Sequence, residues 1–136
     1  MIEEPLTPVD AAAQLSFAVQ EVLGRVAATH DMSVTLVRML GILRDHEPTM
    51  AALADSLGLD RSSVTGLIDR AEKRGLVARH PSATDARSVL VTLTAAGRRL
   101  SAAGERDFEE GMRGILSRLS DADTEALVRI GLSLRG

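Results

Sequence analysis

Two short apolar-periodic segments, each closed by a glycine, constrain this chain more than any other feature. Between Thr49 and Gly58, residues Met50, Leu53, Ala54 and Leu57 fall at the i, i+3, i+4, i+7 spacing of a helix with one buried face. Thr49 is a ready N-cap, and Gly58 can take the left-handed conformation that closes such a helix. Asp60 then caps a second segment, in which Val64, Leu67, Ile68 and Ala71 repeat the spacing until Gly75 ends it. Two helices joined by a short turn containing glycine have the form of a helix-turn-helix. Past Gly75 the chain reads "LVARHPSATDARSVLVTLT". Val89, Val91 and Leu93 alternate there with Ser88, Leu90 and Thr92, which predicts a strand, with "GLVAR" as its antiparallel partner. A β-hairpin directly after a helix-turn-helix is a wing.

The flanking segments read as helices. Residues 9–29 contain no breaker except Gly24, and Leu15, Val19, Val22 and Val26 recur at alternating four- and three-residue spacings. A second helix is expected from the cap Ser33 to His46, with Leu36, Leu40 and Leu43 on one face and Pro48 stopping it. Beyond the hairpin, Thr94 can cap a long helix in which Leu100, Ala103, Phe108, Met112, Ile115 and Leu119 recur over about 25 residues, roughly 38 Å. Ser120 and Asp123 resemble a capping box opening a last helix that carries Leu127, Val128, Ile130 and Leu134.

The expected fold is therefore mostly α with a small β-hairpin wing: a winged helix-turn-helix with about six helices. It forms a single domain over 1–136, with a core at 33–93 and terminal helices at 9–30 and 95–136. The two terminal stripes are more than a domain of this size can bury alone, which points to dimerisation through the N- and C-terminal helices. The alternative is that they pack on each other within one chain.

A hydrophobic content of 45% with 26% charged residues is a globular composition. The absence of Cys excludes a disulfide framework, a thiolate zinc site and a thiol redox switch. The opening "MIEEPLTP" is acidic and lacks the apolar core of a signal peptide, and no apolar run approaches the roughly 18 to 20 residues of a membrane span. A cytoplasmic protein with no membrane partner is expected. The net charge of −3 speaks against nucleic acid, but its distribution does not. Residues 60–99 hold eight Arg or Lys against four Asp or Glu, the reverse of the rest of the chain. That asymmetry fits a basic working face on an acidic body, and equally the routine solvation of helix faces.

With Val64, Leu67, Ile68 and Ala71 turned inward, the second helix of the pair presents Arg61, Ser62, Ser63, Thr65, Gly66, Asp69, Arg70 and Lys73. Arg suits guanine O6 and N7, Ser and Thr suit phosphates or base edges, and Gly permits close approach, so this face suits a major groove. In the hairpin, Arg79 lies on the first strand, with Ser82, Asp85 and Arg87 in or beside the loop. An Arg at a wing tip is drawn to the negative potential of a narrow minor groove. Asp85 would be repelled by phosphate and is expected to pair with a nearby Arg, holding that side chain or the wing in position.

These residues together resemble the MarR family of bacterial transcription regulators. The matching runs are "DRSSVTGLIDRAEKRGLV", the "DAR" of the wing, and "LVTLTAAG" at the second strand and the next helix start. The resemblance implies a homodimeric DNA-binding transcriptional regulator, usually a repressor, on a pseudo-palindromic double-stranded operator. The 61–74 helix would lie in the major groove and the 81–87 wing at the minor groove. Carried over by position, Arg61, Ser62, Ser63, Thr65 and Arg70 would face the major groove or its phosphates. Arg87 would enter the minor groove with Asp85 as its positioning partner.

The resemblance also implies release from DNA by a small-molecule effector, often aromatic. Phe17 and Phe108 are the only aromatic residues, so stacking on such a ligand has little to draw on. An apolar pocket with His30 or Arg38 as polar anchor is the remaining option. Against it, Arg38 would be a surface ion-pair partner and His30 a helix-end residue. His30, His46 and His80 are too dispersed for a metal site, and no cofactor is expected. No nucleophile triad, phosphate loop or metal motif supports an enzyme. The other class to weigh is a winged-helix protein-interaction module without DNA binding, and Arg61, Arg70 and Arg87 on one face count against it.

Overall fold

The computed structural model describes residues 4–135; residues 1–3 and 136 of the expected domain lie outside them. Every helix begins at a side-chain cap. Thr7 opens α1 (Pro8–Thr29) in a reciprocal capping box with Asp10, with Pro8 at the first helical position, a start that the periodicity had placed one residue later. Ser33 opens α2 (Val34–Asp45), Thr49 opens α3 (Met50–Leu57) and Asp60 opens α4 (Arg61–Lys73). Gly58 and Gly75 both have positive φ, +66° and +74°, and end α3 and α4 at the expected positions.

Strands β1 (Val77–Pro81) and β2 (Val89–Leu93) pair antiparallel, from Val77 opposite Leu93 to Pro81 opposite Val89. The hairpin is not isolated. The Val91 N–H reaches the Pro48 carbonyl at 2.9 Å, and Thr49 bridges Leu90, so the α2–α3 linker adds a third, minimal strand. This ties the wing to the start of the helix-turn-helix.

The core joins α2, α3, α4 and the hairpin. Met39, Leu40, Leu53, Val64, Ile68 and Val91 are almost wholly buried within it. Val91 and Leu93 face inward as the alternation predicts, whereas Val89 is 38% exposed because the strand there has run past the core toward the loop.

Thr94 caps α5 (Ala95–Leu116) and also donates its hydroxyl to the Gly75 carbonyl at 2.5 Å, so the end of α4 and the start of α5 share one residue. Gly97 follows where a Cβ would overlap the Leu76 carbonyl oxygen. The helix stops at Leu116, short of the expected extent. The Ser117 hydroxyl closes it on the Gly114 carbonyl at 2.9 Å, and Leu119 lies beyond the end. α1 crosses α5 closely, with Gly111 against Val22.

α6 (Asp121–Ser133) is capped by Ser120, which accepts the Asp123 N–H; the return bond of a full capping box, expected from Asp123, is absent. No residue of α6 is buried. Among the described residues no single helix is long and apolar enough to cross a membrane.

Candidate nucleic-acid interface

Asp60 sets the geometry of the exposed α4 face. Its Oδ1 accepts the Ser63 N–H at 2.7 Å and the Ser62 hydroxyl at 2.8 Å, and these bonds, Ser63's first, hold its carboxyl below the usual carboxylate range. Arg61, Ser62, Ser63, Thr65 and Arg70 are all exposed on that helix, while Val64, Leu67, Ile68 and Ala71 are buried. The Thr65 hydroxyl donates to the Arg61 carbonyl at 2.8 Å. Gly66 makes room for the Arg70 guanidinium, which would lie 3.2 Å from a Cβ there, so this glycine serves the arginine as well as any approaching ligand.

Two hollows flank the helix. One, of about 450 Å³, is lined by Ser62, Ser63, Gly66 and Arg70, together with Ser33 and Thr35 from the start of α2. Ser33 and Thr35 were not singled out from sequence, because they lie some 30 residues from α4 in the chain; only the fold brings their hydroxyls alongside. The other, of about 350 Å³, is lined by Arg61 and Thr65 of α4, Thr49 to Ala51 of α3, and Arg87 to Val89 of the wing. It brings Arg61 and Arg87 to a single concavity. Among the described residues neither guanidinium has an ion-pair or hydrogen-bond partner.

The wing loop is built by its own polar groups. The Ser82 N–H bonds the Ser88 carbonyl and the Ser88 N–H bonds the Asp85 carbonyl, each at 3.0 Å. The Ser82 hydroxyl accepts from the Thr84 and Asp85 N–H groups at 3.3 Å, so this candidate contact residue serves as a turn former. Asp85 does not pair with an arginine side chain, as had been expected. Its carboxylate takes the Arg87 backbone N–H at 3.0 Å and the Ser88 hydroxyl at 3.1 Å, so it fixes the loop backbone and leaves the Arg87 guanidinium free. Arg79 is turned to α4, where it forms an ion pair with Asp69.

Of the two candidate ligand anchors, Arg38 lines an apolar cavity of about 210 Å³ between α1, α2 and α5, with Leu23, Met32, Leu100 and Phe108. Arg38 makes no ion pair among the described residues. Arg44, on the same wall, is held by Asp45 at 3.0 Å and by Glu105 at 2.5 Å. His30 lies outside the cavity. It ends α1, and its ring bonds Asp107 of α5 at 2.6 Å. Among the described residues no three His, Asp or Glu side chains are gathered as metal ligands.

Two adjacent helices, a wing docked on the second of them, and long flanking helices define the winged helix-turn-helix fold. The MarR family model matches residues 30–88, the stretch that holds the helix-turn-helix and the wing loop on which the sequence resemblance rests. A relative, the "uncharacterized HTH-type transcriptional regulator YfiV" of Bacillus subtilis, is 42% identical over 65 residues. That match takes in 47% of this chain and 41% of the relative, so the chain matches less than half the relative's length.

Among solved structures, apo MarR from E. coli superposes with a TM-score of 0.82 at 19% identity, over 98% of this chain and 100% of that one. The S. aureus MepR–DNA complex superposes at 0.74 with 23% identity, over 96% and 100%. At these identities the likeness concerns the fold. It extends beyond the matched segment to the terminal helices.

Proposed function

We propose that the chain is a homodimeric DNA-binding regulator, acting as a repressor on a pseudo-palindromic operator. α4 would occupy the major groove, presenting Arg61, Ser62, Ser63, Thr65 and Arg70, and the 81–87 wing would carry Arg87 to the adjacent minor groove. The observation that carries this reading is the shared hollow of Arg61 and Arg87, two unpartnered cations from separate elements on one concave surface. Two cations without protein partners make that concavity electropositive, and a duplex backbone running between its two grooves supplies a row of anions. The solved MepR neighbour is itself in complex with DNA.

Residues 33–93 would form the reading core, with 9–30 and 95–136 as dimerisation helices. The exposed apolar residues of α1 and α6 support that division: Val9 and Phe17 on the one, Val128, Ile130, Leu132 and Leu134 on the other. A two-fold dimer reads two inverted half-sites, hence the pseudo-palindrome.

The 210 Å³ cavity suits an effector of about one ring, since a cavity of roughly 150 Å³ already admits benzene. Arg38, the unpaired cation on its wall, would anchor a carboxylate or phenolate. His30, spent on Asp107, is set aside as an anchor.

The test is selection of bound fragments from a random duplex library, followed by mobility-shift titration of the enriched sequence. Enrichment of an inverted repeat bound at about 10⁻⁸ to 10⁻¹¹ M is expected. No enrichment over the starting library would overturn the DNA reading.

A further inference from the structure

Asp69 poses a problem for any α4 that approaches DNA. It stands on the exposed side of the helix, one turn beyond Thr65 and two beyond Ser62, so its carboxylate shares their stripe. A free carboxylate there would face phosphates and be repelled. It is not free, because the Arg79 guanidinium is bonded to it through Nη2.

The geometry of Arg79 shows how far that side chain is committed. Arg79 lies directly opposite Val91 in the hairpin, and opposed residues of an antiparallel pair project from the same face. Val91 is fully buried, so Arg79 leaves the strand on the inward, α4-facing side rather than on the side that looks outward from the wing. Its Nε is buried with no partner, and its side chain is 33% exposed. A guanidinium leaving on that face with a buried Nε is poorly placed to follow a phosphate. Among the described residues its one acceptor is the Asp69 carboxylate, which therefore fixes where it sits.

We propose that Arg79 is a positioning residue and not a DNA contact: it neutralises Asp69 and, through it, locks the first wing strand to the recognition helix. The pair then sets the distance between Arg61 on α4 and Arg87 at the wing, the two cations that must meet one duplex together. This rests on the DNA-binding reading above. It also withdraws Arg79 from the contact residues expected from sequence. Lys or Arg near a wing looks like a phosphate contact in one dimension, and only the opposed Val91 reveals the inward direction.

The experiment compares wild type with Arg79→Gln, Asp69→Asn and the double variant on the selected duplex, measuring affinity from low to high salt. Asn keeps the shape of Asp69 and Gln keeps the start of the Arg79 stem without its charge, so the double variant leaves neither charge unpaired. Its thermal melt is recorded alongside to check the fold.

Arg79→Gln strands the carboxylate beside DNA and is expected to weaken binding about tenfold or more. The double variant removes that charge and should recover to within about threefold of wild type. Its salt slope should equal that of wild type, because the number of phosphates contacted is unchanged. If Arg79 instead touched a phosphate, the double variant would stay as weak as the single one, with a slope shallower by about 0.9, and the proposal would be overturned. Equal affinity of all four proteins would overturn it too. A wild type that binds no duplex fails at the first step, and that failure belongs to the DNA reading rather than to the pair.

Discussion

The Asp85 carboxylate accepts the backbone N–H of Arg87 at 3.0 Å and leaves that residue's guanidinium without a partner among the described residues. Loop shape and reaching cation are thus assigned to different residues two positions apart. Arg87→Ala is expected to weaken operator binding at least tenfold with no change in thermal midpoint or dimer, since nothing in the loop depends on its side chain. Asp85→Ala should weaken binding less and broaden the dependence on sequence, because the cation survives on a looser loop. Mobility-shift titrations paired with thermal melts separate the two. An Arg87→Ala affinity equal to wild type would remove the wing from the mechanism.

Arg61 and Arg70 flank the α4 face differently, and their variants should differ in kind. Arg70 lies back over Gly66 beside the Ser33 and Thr35 hydroxyls, in a hollow suited to a phosphate. Arg61 sits near the helix start, where base edges are reached. Arg61→Ala is expected to reduce discrimination by about 1 to 3 kcal/mol at one base position. Arg70→Ala should weaken operator and random duplex alike and make the salt slope shallower by about one contact. Titration of each variant on both duplexes tests this, and the same loss ratio for both would merge the two roles.

Two glycines make a contrasting pair for stability. At Gly97 a Cβ would overlap the Leu76 carbonyl oxygen, a backbone atom that cannot swing aside, whereas at Gly24 nothing lies within 4 Å. Gly97→Ala is expected to destabilise by about 1 to 3 kcal/mol, by forcing α5 off the end of the α4–β1 connection. Gly24→Ala should stabilise by about 0.5 to 1 kcal/mol, by removing the entropy cost of a mid-helix glycine. Denaturant melts resolve both signs.

Much of this architecture is local and so legible in one dimension. The caps Ser33, Thr49, Asp60, Thr94 and Ser120 and the glycine stops at 58 and 75 each act within about four residues. What escaped was non-local. Nothing in "EPTM" announces that Pro48 and Thr49 add a third strand, because that bond is made 43 residues downstream by the Val91 N–H. The Arg79–Asp69 pair was hidden for the same reason, although both residues were in view. The partner given to Asp85 failed differently. A carboxylate beside an arginine suggests a side-chain pair, but a backbone N–H two residues on is nearer and costs less side-chain entropy to engage.

Asp60 also carries a pH signature. Its bonds to the Ser63 N–H and the Ser62 hydroxyl lower its pKa in the fold relative to the unfolded chain. A depressed carboxylate adds stability that is present above the unfolded value, about 3.9, and is lost as pH falls through the lower folded value. Asp60→Asn keeps a cap but cannot titrate there. The wild-type advantage over it should therefore be constant from pH 7 to about 5, shrink below about pH 4, and vanish in stronger acid. Denaturant midpoints across that range test the point, and a gap persisting once the carboxyl is protonated would assign the cap's worth to something other than charge.

α6 supplies the last prediction. Val128 and Leu132 lie on one side of the helix, and Leu127, Ile130 and Leu134 on another, as 100° per residue requires. No residue of the helix is buried, and Val128, Ile130, Leu132 and Leu134 are each more than half exposed. A helix apolar on two sides has no stable place at a solvated surface and is normally enclosed by other elements. Each such side chain, once buried, would contribute about 1.5 to 3 kcal/mol, so four of them matter to association. A second copy would enclose the helix, and the exposed Val9 and Phe17 of α1 offer matching apolar surface. Ile130→Asp with Leu132→Asp is therefore expected to give a monomer in sedimentation at micromolar concentration. The wild type should sediment as a dimer whose thermal midpoint rises with concentration. Operator affinity of the double variant should fall by more than any single contact-residue change, since two half-sites would no longer be joined. A wild type that sediments as a monomer would return α6 to its own chain and remove the two-fold operator with it.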